Sequence, residues 1–536
     1  MLHMNGLSSL KTLSLEGNLL KGKLLHIQDE MHLRLPELEQ LDLSYNLFRN
    51  NTFYFLKGLS SLKSLTMAGN HLQGSLDIKG LENLTNLKEL DLRWNGIESL
   101  ESYKALDAFS SLRELYMRSN QLKDFVIHKD VSAFEFPTSL SEIDLNNNKL
   151  YGKLPRWIGN LSYLDTLALS NNHFEGSIPM EFCNLNYLGF LDLSQNNLSG
   201  SIPSCLNPPH IEHVHLHGNR LSGPLPLAFY NSSSLVTLDL KGNNLSGSIP
   251  EWIDKLSSLS VLLLKAIHLH GRIPVQLCNL YYLSIIDLSQ NMFSGPMPSC
   301  LGNLTLPMTG NKILGHDVYI FISSEDQSRI FGSSKLARGA NGDYPTSNME
   351  EWIEFTTKSG SLSYGGNILE IMTEIDLSCN KLTGKIPLEL GNLSEIHSLN
   401  LSHNNLIGVI PSSCSKLKQL ESLDLSYNNL TGEISNQLVE MNSLEVFSVA
   451  HNNLSGSIPE PKAQFGTFDE TSYEGNPFLC GSMLHKSCSK THSPPTTSND
   501  EEEDGSPDIY VFCVSFLVSY VVMLVTTFVI LYINPY

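Results

Sequence analysis

The chain has 536 residues, of which 41% are hydrophobic, and its 55 acidic and 35 basic residues give a net charge of −20. A field of that sign repels polyanions, so we exclude nucleic acid as a partner. The length alone would favour several globular domains, but a repeat running through most of the chain indicates one extended stack instead.

The repeat is clearest in residues 235–250, which read Leu-x-x-Leu-x-Leu-x-x-Asn-x-Leu-x-Gly-x-Ile-Pro. Sixteen copies of its core occur, twelve in residues 1–303 and four in residues 371–460. Such a unit can bury its apolar side only against its neighbours. We therefore predict an α/β repeat solenoid, a right-handed superhelix with a parallel β-sheet on its concave face.

Each position of the repeat has a physical role. The Leu-x-Leu segment predicts a short strand whose leucines point into the core. The asparagine side chain can bond backbone groups of neighbouring coils that the tight bend leaves unpaired. In the eleventh copy, Ile267 stands where the asparagine belongs. We expect a local weak point or bend there.

Residues 304–370 interrupt the repeats and form an island. A long segment of this kind in a compact protein is usually functional or disordered. The island is rich in aromatic residues near its end, in residues 351–358 and 364–367, which favours function. After the last repeat, residues 461–490 are predicted to form a C-terminal cap.

The C-terminal part predicts membrane anchoring. Residues 491–508 form a polar, acidic juxtamembrane stalk, and residues 509–533 contain no charge. At about 1.5 Å per residue a helix of this length crosses a hydrocarbon core of about 30 Å. Only residues 534–536 follow, as a residual cytoplasmic tail. Residues 1–15 enter a repeat without a secretory signal, so we expect a chain shortened at both ends.

Six of the nine cysteines are spaced for pairing. Two pairs lie near the same edge of adjacent coils and one lies in the cap, and bridging would imply an oxidising compartment. The alternative is that cysteine fills small apolar slots, as we expect for Cys379 and Cys414. The candidate pairs are Cys183 with Cys205, Cys278 with Cys300, and Cys480 with Cys488.

Asn-x-Ser/Thr sequons are frequent, as a glycosylated ectodomain would require. An Asn-rich and Ser-rich repeat also generates such sequons by chance. The ten candidates are Asn50, Asn83, Asn160, Asn197, Asn231, Asn244, Asn303, Asn392, Asn429 and Asn453.

Residues that face outward from the strands are the candidates for ligand binding. Eight repeats place aspartate at the middle outward position, which makes the face acidic and favours cationic ligands, although the repeat pattern alone also explains the aspartates. These candidates are Glu89, Asp91, Arg93, Tyr116, Arg118, Asp239 and Lys241.

The ninth repeat places His213, His215 and His217 on one strand face. Neutral imidazoles on alternate residues can share a metal, and neighbouring aspartates would make them pH-sensitive. An ordinary polar surface explains them as well. We predict no metal, no cofactor and no enzymatic activity, because the motifs of hydrolases, kinases and metalloproteases are missing.

Together these features resemble the leucine-rich-repeat receptor-like proteins of plants. The resemblance rests on the Leu-x-Gly-x-Ile-Pro repeat, the island before the last four repeats, and its Glu-Phe-Thr-Thr-Lys and Tyr-Gly-Gly-Asn segments. The Asn-Pro-x-Leu-Cys-Gly cap, the acidic stalk, the single span and the minimal tail also match.

The resemblance implies a single-pass glycoprotein of the plasma membrane with extracellular repeats, acting in defence or development. Such a receptor binds a peptide or protein ligand and signals through co-receptor and adaptor receptor-like kinases. It would place ligand contacts in the island, for which Trp352, Lys358 and Tyr364 are candidates. Two alternatives remain: an inhibitor of a secreted enzyme, and a tail-anchored cytosolic scaffold.

Overall fold

The computed structural model of the protein describes residues 8–21, 35–101, 110–123, 138–304, 321–323, 352–357, 360–365, 369 and 372–488. All of them belong to one structural unit, residues 1–488. The predicted stalk, membrane span and tail lie in residues 489–536, outside the described residues.

The core of the fold is a parallel sheet of sixteen three-residue strands, in which almost every strand pairs with the next copy of the repeat. The sequence also has sixteen repeat copies, so the predicted solenoid with a parallel sheet is confirmed. The strands are Thr12–Ser14, Gln40–Asp42, Ser64–Thr66, Glu89–Asp91, Glu114–Tyr116, Glu142–Asp144, Thr166–Ala168, Phe190–Asp192, His213–His215, Thr237–Asp239, Val261–Leu263, Ile285–Asp287, Glu374–Asp376, Ser398–Asn400, Ser422–Asp424 and Val446–Ser448.

The register of this sheet aligns equivalent repeat positions. The middle residue of each strand points into the core, as Leu238 does at 1% exposure, and the flanking residues form the strand face. We call this surface the strand face. It consists of the first and third residues of each strand and of the residue two positions after the end of the strand. Apolar middle residues from successive coils make one continuous core along the stack.

The repeat asparagines form a ladder that joins neighbouring coils, as predicted. The Asn404 amide donates to the carbonyls of Leu377, Leu401 and Ser402 at 2.9, 3.2 and 3.1 Å, and its Oδ1 accepts from Leu382 N at 3.0 Å. The same bonding recurs at Asn70, Asn120, Asn148, Asn172, Asn219, Asn243, Asn380, Asn428 and Asn452.

A second set of strands, which we call the return-side strands, follows the asparagine position of the repeats. Residues Gln73–Asp77 and Gly96–Glu101 pair early in the chain. A five-stranded sheet follows, of Tyr151–Lys153, His173–Gly176, Asn197–Gly200, Arg220–Gly223 and Asn244–Leu245. A seven-stranded sheet then contains His270–Gly271, Met292–Pro296, Lys381–Lys385, Asn405–Gly408, Asn429–Gly432, Asn453–Ser457 and Phe478–Cys480.

The two return-side sheets separate at the repeat that lacks the asparagine. Ile267 is fully buried, and the residues on either side of it, Ala266 and His268, have φ of 55° and 61°. A single bridge between Gly247 and Leu269 joins the two sheets. The predicted irregularity at Ile267 therefore takes the form of a break in the second sheet.

The helical segments described are short 3₁₀ turns, so the helical part of the α/β prediction is wrong for this part of the chain. Most of these turns have five residues and directly follow a repeat proline, which is too short a segment for a stable α-helix. They are Asn50–Gly58, Ile78–Leu81, Arg156–Asn160, Met180–Asn184, Leu227–Asn231, Glu251–Lys255, Val275–Asn279, Ser299–Asn303, Leu388–Asn392, Ser412–Lys416, Asn436–Glu440, Ala463–Gly466, Glu470–Ser472 and Ser482–Leu484.

The island does not interrupt the stack. Ile285 pairs directly with Glu374 across the insertion, and Phe293 N donates to Asn380 Oδ1. Within the island, the strands Phe321–Ser323, Trp352–Thr357 and Gly360–Gly365 form an antiparallel sheet.

The cap continues the repeat by half a unit. Asn476 donates to Val449 O at 2.9 Å and accepts from Leu454 N, so it serves as a further rung of the ladder. Phe478–Cys480 adds the last strand of the seven-stranded sheet, and the Tyr473 ring is buried beneath it at 1% exposure. The last coil is thereby covered.

Candidate functional site

The first polar group on the strand face surrounds Arg93. Its guanidinium forms a two-point ion pair with Asp91, at 3.0 and 2.7 Å, and lies over the rings of Trp94 and Tyr116. The Tyr116 hydroxyl donates to Glu142 Oε2 at 2.5 Å. Four of these five side chains lie on strand-face positions of adjacent repeats, so the network extends across three strands.

Acidic groups in this network carry an unusual proton affinity. Burial raises the pKa of Glu142 to about 7, although the Tyr116 hydroxyl opposes the shift. Burial also raises the pKa of Asp144 to about 6, against the attraction of Arg118. The Arg118 side chain and Glu89 are half-buried beside this group. The predicted candidates Glu89, Asp91, Arg93, Tyr116 and Arg118 thus lie in one region.

The second polar group contains the histidines of the ninth repeat. His215 is paired in register with Asp239 on the next strand, and His217 Nδ1 lies 2.9 Å from Asp239 Oδ2. Asp239 is fully buried, and Lys241 Nζ lies 3.7 Å from the same carboxylate oxygen. Three titratable groups, His215, His217 and Lys241, therefore meet around one buried carboxylate.

The electrostatics of this group follow from the pairing. Burial lowers the pKa of His217, but the Asp239 carboxylate outweighs it, so the pKa is raised above the ordinary value. Burial opposes ionisation of Asp239, yet His217 and Lys241 hold the pKa of that carboxyl well below its usual range. The rings of His213 and His215 both pack beside Phe190, at 5.9 and 5.6 Å between centroids.

The island packs onto the strand face next to the histidines. Val261, Leu263 and Ile285 face outward from two strands and bury against Ile353 and Phe355 of the island. A second apolar contact is internal to the island, where the Phe355 and Tyr364 rings stack at 4.5 Å. The island hairpin, residues 352–357 with 360–365, therefore covers this section of the sheet.

Two lysines fasten the hairpin. Lys241 Nζ donates to the Glu354 carbonyl at 2.5 Å and lies 3.7 Å from the Glu354 carboxylate. Lys265 Nζ donates to Thr356 Oγ1 at 3.1 Å. Lys241 was selected from the sequence as a ligand contact, and here it holds the island instead.

The island candidates have different environments. Tyr364 is 7% exposed and belongs to the apolar contact with the sheet. Trp352 is half-buried and lies so close to Gly365 that a Cβ atom there would be 2.7 Å from its ring. Lys358 lies outside the described residues.

Sequence reasoning missed the docking of the hairpin and the buried acid beneath it. The signal was present, because Val261, Leu263 and Ile285 are apolar where other repeats carry polar residues. Glu374 is 1% exposed, and burial together with Asp376 and Asp287 raises the pKa of its carboxyl well above the usual range.

The paired cysteines are bonded in the structure. Cys183 joins Cys205 and Cys278 joins Cys300 across adjacent coils, while Cys480 joins Cys488 in the cap. Cys414 is buried and unbonded, as expected for a cysteine that fills an apolar slot. Cys379 differs from that expectation, because it is exposed.

The sequon asparagines lie at the surface. Asn50 and Asn197 are half-buried, and the other eight are exposed: Asn83, Asn160, Asn231, Asn244, Asn303, Asn392, Asn429 and Asn453. Asn244, Asn429 and Asn453 each directly follow a buried ladder asparagine, so in these three cases the two neighbouring asparagines have opposite environments.

Within the part of the chain that the structure describes, no helix has both the length and the apolar character needed to cross a bilayer. The predicted span, residues 509–533, lies outside that part.

Comparisons with known proteins agree with this architecture. Leucine-rich-repeat family models match residues 132–198, 209–269 and 394–454, and shorter ones match residues 282–304, 372–393 and 83–99. Among solved structures, a TDR receptor superposes with a TM-score of 0.60 at 26% identity, covering 79% of this chain and 65% of that chain. The PEPR1–AtPEP1 structure gives 0.51 at 25% identity, covering 83% and 63%.

The curated relatives are plant receptors. Cuscuta receptor 1 of Solanum lycopersicum is 65% identical over 187 residues, which are 34% of this chain and 17% of that protein. Receptor-like protein 13 of Arabidopsis thaliana is 45% identical over 227 residues, or 42% and 21%. The matches thus span about a fifth of the length of these relatives. The repeat models identify leucine-rich repeats in this chain, and over the matched segments it is similar to receptor-like proteins of plants.

Proposed function

We propose that this protein is a cell-surface receptor-like protein that recognises an extracellular peptide and signals through a partner receptor-like kinase. The observation that carries the proposal is the change of character along the strand face. Up to Lys241 most of its residues are polar or charged, with exceptions such as Ala168 and Phe190, and an apolar patch beyond is covered by the island hairpin.

The ligand chemistry follows from charge. The network around Arg93 contains more carboxylates than cations, and the whole chain carries a net charge of −20. A peptide with basic residues would be attracted to this surface over several ångströms before contact. The Trp94 ring beside it, which is 45% exposed, offers apolar area at low entropic cost.

The compartment is inferred from the cysteines. Three disulfides are typical of proteins folded in an oxidising environment, and they disfavour a cytosolic scaffold. We infer that residues 509–533 anchor the repeats outside the plasma membrane. A shift in mass after glycosidase treatment of the full chain would support that placement, and an unchanged mass would count against it.

Peptide recognition can be tested with a photo-crosslinking amino acid at Arg118, which is half-buried on the strand face. Tyr163 is the control position, because it is 63% exposed on the helical side of the coil. A synthetic peptide library of graded net charge should crosslink at position 118, preferentially with its basic members. Equal crosslinking at both positions, or no dependence on charge, contradicts the proposal.

The kinase partnership has its own test. Residues 501–504, all acidic, could steer a partner with basic residues next to its span. Replacing all four with Gln or Asn should weaken co-precipitation of receptor-like kinases with the full chain. Undiminished recovery would remove the stalk from the proposal.

The inhibitor alternative predicts binding to secreted wall-degrading enzymes, which the same purified chain can test directly.

A further inference from the structure

The strand face has a regular way of satisfying its aspartates. In an ordinary repeat the aspartate is followed two residues later by serine, as in Asp287 and Ser289. The Asp287 Oδ1 atom accepts from both the Ser289 amide, at 3.0 Å, and its hydroxyl, at 2.6 Å. The same closed pair occurs at Asp42, Asp192 and Asp424.

Two adjacent repeats depart from this arrangement together. In the ninth, His215 takes the aspartate position and His217 takes the serine position. In the tenth, Asp239 is followed by Lys241, whose amide satisfies only Oδ1, at 3.2 Å. Asp239 therefore has no serine hydroxyl on Oδ1, and its second oxygen, Oδ2, lies 2.9 Å from His217 Nδ1.

The departure gathers donors of the type that bind transition metals. His215, His217 and Asp239 each offer one ligand atom, and these three atoms lie within 4.8 Å of one another. His215 is 3% exposed and Asp239 is fully buried. The His217 and Asp239 atoms are close enough for an ion pair but are not aligned as a hydrogen bond.

We propose that His215, His217 and Asp239 form a binding site for a divalent cation of the zinc class. Imidazole nitrogen and carboxylate oxygen are ordinary zinc ligands at about 2.0–2.2 Å, so ligands of one ion lie about 3.0–3.5 Å apart. The observed separations reach that range with small side-chain rotations. Three protein ligands leave one coordination position open.

Lys241 is the group that competes with the ion. Its ammonium lies 3.7 Å from Asp239 Oδ2, where it repels a second cation. The same ammonium donates to the Glu354 carbonyl and lies 3.7 Å from the Glu354 carboxylate, so it bridges Asp239 and the island hairpin.

This inference does not depend on the receptor proposal, and its test needs no receptor ligand. Full-length protein, freed of metal with a chelator, is titrated with zinc in competition with a chromogenic chelator. Cobalt is used in parallel, because its visible spectrum reports coordination by nitrogen and oxygen in a four-coordinate site. The wild type should bind one equivalent that the double variant H215N/H217N loses, with affinity lowered at least about tenfold.

Two further variants separate binding at this site from adventitious binding and from misfolding. The control H71N/H173N removes two exposed histidines elsewhere and should keep the equivalent. Lys241→Met removes the competing charge and should tighten zinc binding several-fold. This gain of affinity cannot come from unfolding. The proposal is overturned if H215N/H217N binds as many zinc ions as the wild type, or if Lys241→Met leaves the affinity unchanged.

Discussion

Replacing one asparagine of the ladder measures how much its hydrogen bonds stabilise the contact between adjacent coils. In Asn404→Leu the side chain keeps its branching and its number of heavy atoms but loses three donated bonds and one accepted bond. The carbonyl groups keep other donors, because Leu377 O also accepts from Asn380, and Leu401 O from Asn428. The main cost is therefore the Leu382 amide, which loses the Asn404 oxygen inside the stack.

The magnitude follows from that accounting. An unsatisfied buried donor costs about 1–3 kcal/mol, and each shared bond that is lost costs a fraction of about 1 kcal/mol. We expect about 3 kcal/mol in all. Hydrogen exchange is the appropriate assay, because it reads the opening of single coils in a stack whose global unfolding need not be two-state.

The expected result is at least about a hundredfold faster exchange at the Leu382 amide, the factor that corresponds to about 3 kcal/mol. Asn405→Leu is the matched control, because this neighbouring asparagine is exposed and should leave exchange unchanged. If the Asn404 variant accelerated exchange less than fivefold, the ladder would be a by-product of the stack and not a source of its stability.

Three more outcomes are expected. The raised pKa of Glu142 means that the folded state keeps a proton which the unfolded state releases between pH about 4.5 and 7. The free energy of unfolding should therefore fall as pH rises through that window. Glu142→Gln should remove up to about 3 kcal/mol of this loss, as measured by urea unfolding at pH 5 and at pH 7. Gly391→Ala should lower the thermal midpoint at a cost of about 2 kcal/mol, because its Cβ would lie 2.4 Å from the Ser413 carbonyl. Asn50 should carry no glycan in mass spectra while the exposed Asn160 does, since the Asn50 amide already donates to two carbonyls.

The solenoid was predictable because its information is local and repeated. A leucine at the middle of each strand and an asparagine three residues after its last leucine leave little freedom for another fold. The location of the irregularity at Ile267 was predictable for the same reason, since a missing side-chain amide is visible in the sequence. The 3₁₀ character of the turns was not predicted, because it depends on how few residues each coil allows for the return.

The candidate site was predicted less completely. The sequence identified the strand-face residues, but it could not show that Arg93 is already paired with Asp91 or that Lys241 holds the hairpin. The first contact depends on side-chain conformation within one repeat, and the second joins parts of the chain that are 113 residues apart. The apolar outward residues Val261, Leu263 and Ile285 were the one local signal for the docking of the hairpin, because apolar residues are not expected on a strand face exposed to solvent.

The single bridge at Gly247 and Leu269 has a consequence for how the stack comes apart under load. In a one-dimensional array, unfolding spreads from coil to coil through the contacts between neighbours, and it stops where those contacts are few. A pulling force applied at either end should therefore unfold the coils in two stages, with the boundary between the two sets of coils near Ile267. Extension traces of the whole molecule in an optical trap would record a pause at that joint.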